Sequence, residues 1–220
     1  MNSDNLFNLL KNKKIESFKK IIKKNKKNID LDIIDENGNY LIHYLINLNN
    51  FKLIEFILEN VKLRLDVLDI EGKNLTYFPI KYNYIDILEL IIKFNDINIG
   101  ISIIDKKDEN GYTALHYSCL FNNIDAFKLL VNKNADLYAY TNDNLTIFDI
   151  LLKNEKNDML FYVFEKLDNF KFKNMENQTL IQIALDYENL RIVDYLLDKD
   201  IDFDNIDSKY GISLLMYIVI

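Results

Sequence analysis

The sequence has few of the residues that build disulfide frameworks and phosphate loops, and it has no long apolar run. Its 220 residues include one cysteine, one proline, five glycines and no tryptophan. A single cysteine excludes a disulfide within the chain, and Cys119 lies in an apolar stretch, where a small buried hydrophobic residue is favoured over a reactive thiol. No Gly-rich phosphate loop is present. No apolar run approaches the roughly 20 residues of a membrane span.

The N-terminal sequence also lacks the features of a secretory signal. Its first residues, MNSDNLFNLLKNKK, place the apolar part before the lysines, which is the wrong order for a signal peptide. We therefore expect a reducing, intracellular compartment, the cytoplasm, with a nuclear location left open. Isoleucine, asparagine and lysine are abundant, which suggests an AT-rich genome such as that of a protist, an endosymbiont or a large DNA virus. A viral chain would act in the host-cell cytoplasm.

Residues that could catalyse a reaction or hold a metal do not converge in the sequence. The two histidines, His43 and His116, are too few for a cluster of histidine, cysteine and acid ligands. The acids lie at turn positions, such as Asp35, Asp69 and Asp108, or on helix exteriors, where they cap or solubilise. No nucleophile–base arrangement can be argued. The sequence thus predicts no catalytic, cofactor-binding or metal site, and a protein that is not an enzyme.

What the sequence does contain is a segment that recurs. The best-formed copy runs from Asp108 to Leu137, and weaker copies begin near Asp35, Asp69, Thr141, Asn174 and Asp207. Each copy carries glycine or asparagine at one turn position: Gly38, Gly72, Gly111, Asn144, Asn177 and Gly211. Both residue types tolerate the left-handed backbone that a tight turn needs. A fixed period this short predicts stacked supersecondary units.

Each copy also contains two apolar stretches separated by a polar break. Breaks such as Asn49-Asn50 and Asn122-Asn123 consist of residues that end one helix and start the next. In four copies one polar residue falls at the same place in the second stretch, as expected for a solvent-facing position on a helix. Each copy is therefore predicted to be a helix-turn-helix unit.

The motif residues resemble those of the ankyrin repeat family. Thr113-Ala114-Leu115-His116 is similar to the family's Thr-Pro-Leu-His, and Asn134-Ala135-Asp136 resembles its Gly-Ala-Asp. Tyr40-Leu41-Ile42-His43 is a degraded copy. The resemblance covers roughly Asp35 to the C-terminus. It implies an all-α ankyrin-repeat solenoid with short hairpin-like turns, in which Thr113, Leu115 and the two histidines are structural and each histidine bonds locally.

We predict one ankyrin-repeat domain over residues 1–220. Its expected parts are a capping repeat at 1–34, repeats at 35–68, 69–107 with an insertion, 108–140, 141–173 and 174–206, and a truncated repeat at 207–220. The truncated repeat lacks its second helix and should leave an apolar face uncovered. Two explanations are open: the natural protein continues beyond this repeat, or another molecule covers its apolar face. We favour the first, in which the chain is a fragment of a longer protein. A monomer is predicted unless this apolar end pairs.

The predicted capping repeat is rich in lysine. Nine lysines fall between Lys11 and Lys27, against the single acid Glu16. This face could bind nucleic acid or anionic lipid, or act as a nuclear localisation signal, or it could simply be solvated. The solvated face is favoured because arginine, which base and bidentate phosphate recognition prefers, is absent from the cluster. Nucleic acid is therefore not the expected partner.

The insertion from Asn95 to Lys107 alternates isoleucine with polar or small residues, which is typical of a strand. Two arrangements are open: an extended hairpin tucked onto the stack, or an edge that a partner strand could join. The tucked hairpin is favoured because an exposed isoleucine edge invites aggregation.

The family resemblance implies that a protein partner binds beside the turn residues and at the ends of the first helices. On this chain the candidates are Tyr82, Glu109, Asn110, Tyr112, Phe121, Asp143, Lys153 and Tyr187. The aromatic candidates fit the residue types of interface hot spots, although Tyr82 and Phe121 could instead pack between repeats. The predicted function is a protein-interaction scaffold without cofactor. The alternative is a targeting or regulatory module of a larger enzyme or adaptor, whose effector region lies beyond residue 220.

Overall fold

The computed structural model describes residues 3–26, 29–98, 103–166 and 172–199. Within these ranges the chain forms helices and no β-strand, apart from isolated β-bridges that flank turns. The helices are α1 (Ser3–Lys11), α2 (Ile15–Asn25), α3 (Leu41–Asn47), α4 (Phe51–Asn60), α5 (Tyr77–Lys81), α6 (Ile85–Asn98), α7 (Ala114–Leu120), α8 (Ile124–Asn132), α9 (Ile147–Lys153), α10 (Asn157–Lys166), α11 (Leu180–Asp186) and α12 (Leu190–Leu197). The predicted all-α repeat fold is confirmed.

The helices divide between two compact units, residues 1–135 and residues 136–220. In the first unit the helices form four pairs of sequence neighbours: α1 with α2, α3 with α4, α5 with α6 and α7 with α8. The shorter first helices α3, α5 and α7 pack side by side, as do the second helices α2, α4, α6 and α8. Because each pair buries its apolar face only against the next pair, stacking is what completes the core.

The second unit follows the same scheme with α9 to α12. Helix α9 packs on α10 and on α11, and α11 packs on α12. Its core includes fully buried Phe148, Leu160 and Leu196. The predicted boundaries between repeats stay predictions, and the truncated repeat at 207–220, including Gly211, lies outside the described residues.

Five tight turns with the same hydrogen bonds precede the first helices. The turn residues have positive φ: Gly38 (84°), Gly72 (71°), Gly111 (81°), Asn144 (61°) and Asn177 (63°). Each donates its amide to the carbonyl oxygen three residues earlier at 3.0 Å. Positive φ is costly for most residues and accessible to glycine and asparagine, which is why these two types mark the register.

The first residue of each turn accepts hydrogen bonds with its side chain. Asp35, Asp69 and Asp108 each accept from the amide four residues on, at 2.7–2.9 Å. Thr141 and Asn174 do the same at 3.1 and 2.9 Å. This is the side-chain mimicry of a backbone turn that Asp, Asn and Thr provide, and it accounts for the acids at these positions.

A second left-handed residue separates the two helices of each pair. Asn49, Asn122 and Glu188 have φ near 50°. The asparagine that follows each of them caps the second helix by accepting an amide hydrogen bond, at 3.1 Å for Asn50, 3.0 Å for Asn123 and 3.4 Å for Asn189. The polar breaks therefore act as predicted, as a helix stop followed by a helix start.

The N-terminal segment forms the predicted helix pair, α1 and α2. Lys19 and Lys23 each place Nζ 5.6 Å from the ring centroid of Phe56 on α4. Lys26 donates a hydrogen bond to Asn60 at 3.2 Å. Three of the clustered lysines are thus engaged by the neighbouring pair, with their stems lying along its surface.

The strand-like interpretation of the insertion is wrong for residues 95–98. Helix α6 continues through them to Asn98, and the segment at 103–107 forms a turn and coil. A growing helix satisfies each added amide within itself, whereas a strand needs a neighbour, and no strand lies nearby in the described ranges. Ile103 and Ile104 are buried, while residues 99–102 lie outside the description.

The turn glycines provide a prediction with a matched control. Gly38→Ala and Gly72→Ala should each lower the free energy of unfolding by about 1–2 kcal/mol, because alanine disfavours positive φ. Gly72→Ala should cost only slightly more, because its Cβ would displace the exposed, flexible side chain of Glu109, whereas nothing lies within 4 Å at Gly38. Urea titration measures both losses. Adding Glu109→Ala should return the Gly72 variant to the level of the Gly38 variant; an unchanged loss would refute the steric account.

Candidate protein-interaction surface

Two of the predicted binding residues end the first helices of adjacent pairs. Tyr82 is the C-terminal cap of α5, and Phe121 is the C-terminal cap of α7. Their exposed fractions are 50% and 37%. The two residues therefore contact their own repeats and still present ring surface to solvent, which combines the two alternatives that the sequence left open.

Tyr82 and Phe121 belong to a continuous set of aromatic rings. We call it the aromatic edge, and it comprises Tyr77, Phe78, Tyr82, Tyr112, Tyr117 and Phe121. Tyr77 is at its centre, with ring centroids 5.0 Å from Tyr117, 5.2 Å from Phe78 and 5.4 Å from Phe121, all edge to face. Such edge-to-face pairs are favourable beyond the area they bury. The exposed rings are consequently held by the rings behind them.

Stacked rings extend the aromatic edge at both ends. Phe78 stacks on Tyr82 at 6.2 Å, and Tyr117 stacks on Phe121 at 6.4 Å. Tyr112 stacks on Tyr117 at 6.0 Å and is half-buried. Of the predicted aromatic candidates in this unit, Tyr82 and Phe121 are thus the exposed ones, whereas Tyr112 supports them from within.

A buried ion pair fixes the inner side of the aromatic edge. Asp108, whose side chain is fully buried, accepts from Lys73 Nζ at 3.1 Å and from the Tyr117 hydroxyl at 2.5 Å. Burial, together with the hydrogen bond to Asp108, raises the pKa of Tyr117 well above its ordinary value, so the phenol remains a donor. Lys73 also lies 5.6–5.9 Å from the rings of Tyr77, Tyr112 and Tyr117.

A second lysine places positive charge on the exposed side. Lys81 lies 5.3 Å from the ring centroid of Tyr77 and 5.6 Å from that of Tyr82. A hydrogen bond of 3.4 Å to the Tyr77 hydroxyl raises the pKa of Lys81. The surface around Tyr82 is therefore both apolar and cationic.

A shallow groove separates the ends of α5 and α7. It has a volume of about 270 Å³, and its walls include Ile80, Lys81, Asn83, Phe121, Ile124 and Asp125. Ile124 is 36% exposed, close to the value for Phe121. The lining of the groove thus combines the apolar side chains of Ile80, Phe121 and Ile124 with three asparagines, one cation and one anion.

The predicted turn residues Glu109 and Asn110 are exposed in the same unit. The amide of Glu109 donates to the carbonyl of Gly72 at 3.1 Å, which ties two successive turns together. The other candidates lie in the unit 136–220: Asp143 and Lys153 are exposed, and Tyr187 is half-buried with a pKa raised mainly by burial. Five of the candidates, Tyr82, Glu109, Asn110, Tyr112 and Phe121, therefore lie in the first unit, and the other three lie in the second.

The two histidines differ in structure although they occupy the same motif position. His116 Nδ1 lies 3.2 Å from the amide nitrogen of Thr113 and 2.9 Å from its hydroxyl, completing a capping box. His43 is 2% exposed, and neither ring nitrogen makes a hydrogen bond. His43 therefore forms no capping box, because Tyr40, the N-cap residue three positions earlier, makes no side-chain cap hydrogen bond.

The part of the chain that the structure describes offers little other chemistry. Cys119 is buried, and burial raises the pKa of its thiol. No group of three or more histidine, cysteine or acidic residues is placed to hold a metal within the described ranges. The helices found there are also too short or too polar to cross a membrane.

Sequence reasoning missed Tyr77 and Tyr117, two residues that organise the aromatic edge. Tyr77 stands at the motif position that histidine occupies in His43 and His116, which places it at the start of a first helix. That register could have identified it as inward-facing. The pairing of Lys73 with Asp108, 35 residues apart, has no local signal.

Comparisons with known proteins agree with this geometry. A family model described as ankyrin repeats (many copies) matches residues 75–131. An ankyrin repeat protein of Acanthamoeba polyphaga mimivirus is 30% identical over 98% of this chain, and one of Monkeypox virus is 27% identical over 48%. The matched regions cover only 28% and 24% of those proteins, so the chain spans less than a third of the length of these curated relatives.

A solved structure matches as well. The ankyrin repeat domain of Bcl-3 superimposes with a TM-score of 0.66 at 12% identity, covering 80% of this chain and 77% of that one. At this identity the likeness shows the fold alone. Ankyrin repeat domains are general protein-interaction modules and are generally not enzymes.

Proposed function

We propose that this chain, which belongs to the ankyrin repeat proteins, is a non-enzymatic scaffold that binds a protein partner at the turns and first-helix ends of its repeats. The observation that carries the proposal is the pair of exposed rings at the ends of α5 and α7, Tyr82 and Phe121, of which Phe121 lines the groove. Large aromatic side chains dominate the energetics of protein interfaces because they bury much area for few rotatable bonds.

The support behind these rings favours binding over mere exposure. Tyr82 stacks on Phe78, and Phe121 contacts both Tyr77 and Tyr117. Since their orientations are already fixed by neighbours, little side-chain entropy is lost when a partner covers them. Preorganised apolar surface next to a concavity is the usual anatomy of an interface hot spot.

The chemistry of the groove indicates what the partner presents. The partner segment that fits offers an apolar side chain for the groove walls formed by Ile80, Phe121 and Ile124. It also offers a carboxylate for Lys81, whose ammonium lies over Tyr77 and Tyr82. Pairing at an exposed rim adds specificity and association rate more than affinity.

Position-specific photo-crosslinking tests this surface. A photoreactive phenylalanine analogue placed at residue 82, or at residue 121, should form a covalent adduct with one protein in the native cell, because the partner lies against these rings. The same analogue at Leu190, a 46% exposed residue on α12, is the matched control. Equal adducts from all three positions, or none at 82 and 121, would count against the proposed surface.

The alternative function is a targeting or regulatory module of a larger enzyme or adaptor. The observation that favours it is the small share of the two viral relatives that this chain covers, 28% and 24%. Sequencing the full reading frame decides between the two: an adjoining catalytic or effector domain supports the module, and its absence supports the scaffold.

We also propose that the protein is intracellular and monomeric. If its source is a virus, it acts in the cytoplasm of the host cell. The viral relatives support that source. Imaging of the tagged chain in cells checks the location. Sedimentation of the purified chain checks the monomer, and a concentration-dependent dimer would contradict it.

A further inference from the structure

We propose that a cavity between the turns at Asp35 and Asp69 binds the ammonium group of a lysine side chain from the protein partner. The cavity has a volume of about 160 Å³, and the residues that matter here are Asp35, Asn39, His43, Asp69, Glu71 and Phe78. The inference rests on the proposed function in one respect, namely that a protein carries the lysine. The site is separate from the groove at Phe121, with which it shares no lining residue.

The next interface of the same unit shows what fills the equivalent space. There Lys73 extends from the turn at Gly72 and donates to the fully buried carboxylate of Asp108 at 3.1 Å. The hydroxyl of Tyr117 donates to the same oxygen, Asp108 Oδ2. An ammonium and a phenol of this chain therefore satisfy the acid of the third turn.

At the first interface both donors are missing. The repeat register puts Asn39 at the position of Lys73, Phe78 at that of Tyr117 and Asp69 at that of Asp108.

Asp69 uses Oδ1 to accept the amides of Glu71 and Lys73 at 2.9 and 2.8 Å. Within the described part of the chain no hydrogen bond reaches Asp69 Oδ2. The space that a lysine and a tyrosine occupy at one interface is thus a cavity at the other.

The electrostatics of the cavity favour a cation. Asp35, Asp69 and Glu71 line it, and no lysine or arginine does. The nearest basic residue along the chain, Lys73, is already paired with Asp108. Charge-assisted hydrogen bonds from an ammonium to a partly buried carboxylate are about twice as strong as neutral ones.

His43 is an independent sign that a ligand is missing. Its ring lines the cavity and is 2% exposed, yet neither nitrogen has a hydrogen bond. The Tyr40 carbonyl lies near the ring without completing a hydrogen bond of acceptable geometry. A buried polar group without a partner is destabilising, and a donor that enters the cavity would supply that partner.

The protonation state of His43 suits an ammonium ligand. Burial lowers the pKa of His43, and the charges of Asp69 and Asp35 oppose that shift only in part. The ring is therefore neutral near pH 7 and keeps one nitrogen able to accept a hydrogen bond. A metal ion fits less well, because no set of three histidine or acidic ligands converges within the described residues.

The test is a titration of the ¹⁵N-labelled chain with Nα-acetyl-lysine amide, followed by NMR. We expect saturable shifts of the His43 ring and of the Asp69 turn amides, with a dissociation constant on the order of 1 mM. His116, already bonded in its capping box, serves as the internal control. Nα-acetyl-norleucine amide should cause no saturable shift, and tighter binding of the arginine analogue than of the lysine analogue would overturn the ammonium assignment.

Two variants test the residues. Asp69→Asn should weaken binding at least roughly tenfold, since it removes the charge but keeps the oxygen that the turn amides need. Glu59→Gln, the same charge change at an exposed position on α4, should have no effect. Unaltered binding by Asp69→Asn would overturn the site.

Asn39→Lys tests the same point without weakening the fold. It supplies the ammonium from within, as Lys73 does at the next interface, so it should raise the melting temperature and abolish the titration. Lysine binding equal to that of the unmodified chain would overturn the proposal. The titration needs no protein partner, so a negative result leaves the groove at Phe121 standing, and failed crosslinking at residues 82 and 121 leaves this cavity standing.

Discussion

Asp108→Ala is expected to lower the free energy of unfolding by about 3–5 kcal/mol, the cost of breaking a buried ion pair by removing one partner. The carboxylate accepts the turn amides of Asn110 and Tyr112 at 2.9 and 2.7 Å through Oδ1. Through Oδ2 it accepts Lys73 Nζ and the Tyr117 hydroxyl. Alanine would leave a largely buried ammonium and a buried phenol without an acceptor, and both would then oppose folding.

A matched variant separates the turn from the ion pair. Asp35 accepts the amides of Asn37 and Asn39 at 2.9 Å in the same geometry, and no lysine or tyrosine of the described chain donates to it. Asp35→Ala should therefore cost only about 1 kcal/mol, the usual value of a capping side chain. Urea denaturation gives both losses from the midpoint at constant m. Equal losses in the two variants would show that the Lys73 and Tyr117 contacts contribute nothing net.

Asn123→Ala should cost about 2–4 kcal/mol, because one amide side chain performs two tasks. Its Oδ1 caps α8 by accepting the amide of Ala126 at 3.0 Å. Its Nδ2 donates at 2.7 Å to the carbonyl of Ile80, in the last turn of α5. Truncation therefore removes a cap and also the side-chain hydrogen bond to the preceding repeat, whose Ile80 carbonyl keeps its backbone donors, Asn83 and Tyr82.

Asn50 provides the control for Asn123. It caps α4 through the amide of Leu53 at 3.1 Å, and its side chain makes no bond to another repeat among the described residues. Asn50→Ala should cost about 1 kcal/mol, the cap alone. Asn123→Asp would retain the cap but set a carboxylate oxygen against the Ile80 carbonyl, so its loss should be at least as large as that of Asn123→Ala. A loss for Asn123→Ala no larger than that for Asn50→Ala would contradict the inter-repeat role.

The sequence predicts well whatever depends on local backbone geometry. Glycine or asparagine at 38, 72, 111, 144 and 177 marks positions where φ is positive, and few other residues tolerate that conformation. The asparagine after each helix break caps the next helix for an equally local reason. Helix pairs and their order follow from these signals together with the apolar periodicity.

Features that depend on contacts between repeats could not be predicted in this way. Residues 97–103 alternate in polarity as a strand does, but the helix that begins at Ile85 extends to Asn98. Asn123 reaches a carbonyl 43 residues earlier, and nothing near Asn123 in the sequence indicates which carbonyl. For the candidate site, register identified Tyr82 and Phe121, while the rings that orient them became evident only from the packing of α5 against α7.

We propose above that the rings at 82 and 121 bind a protein partner. The most direct test is to measure the affinity of that partner for variants of this ankyrin repeat protein. The partner identified by crosslinking is purified, and its dissociation constant is measured for the unmodified chain, for Tyr82→Ala with Phe121→Ala, and for Leu190→Ala. The double variant should bind at least roughly 30-fold more weakly, the equivalent of about 2 kcal/mol, with unchanged helical content. Leu190→Ala should bind as the unmodified chain does. Equal affinity of all three proteins would contradict the claim.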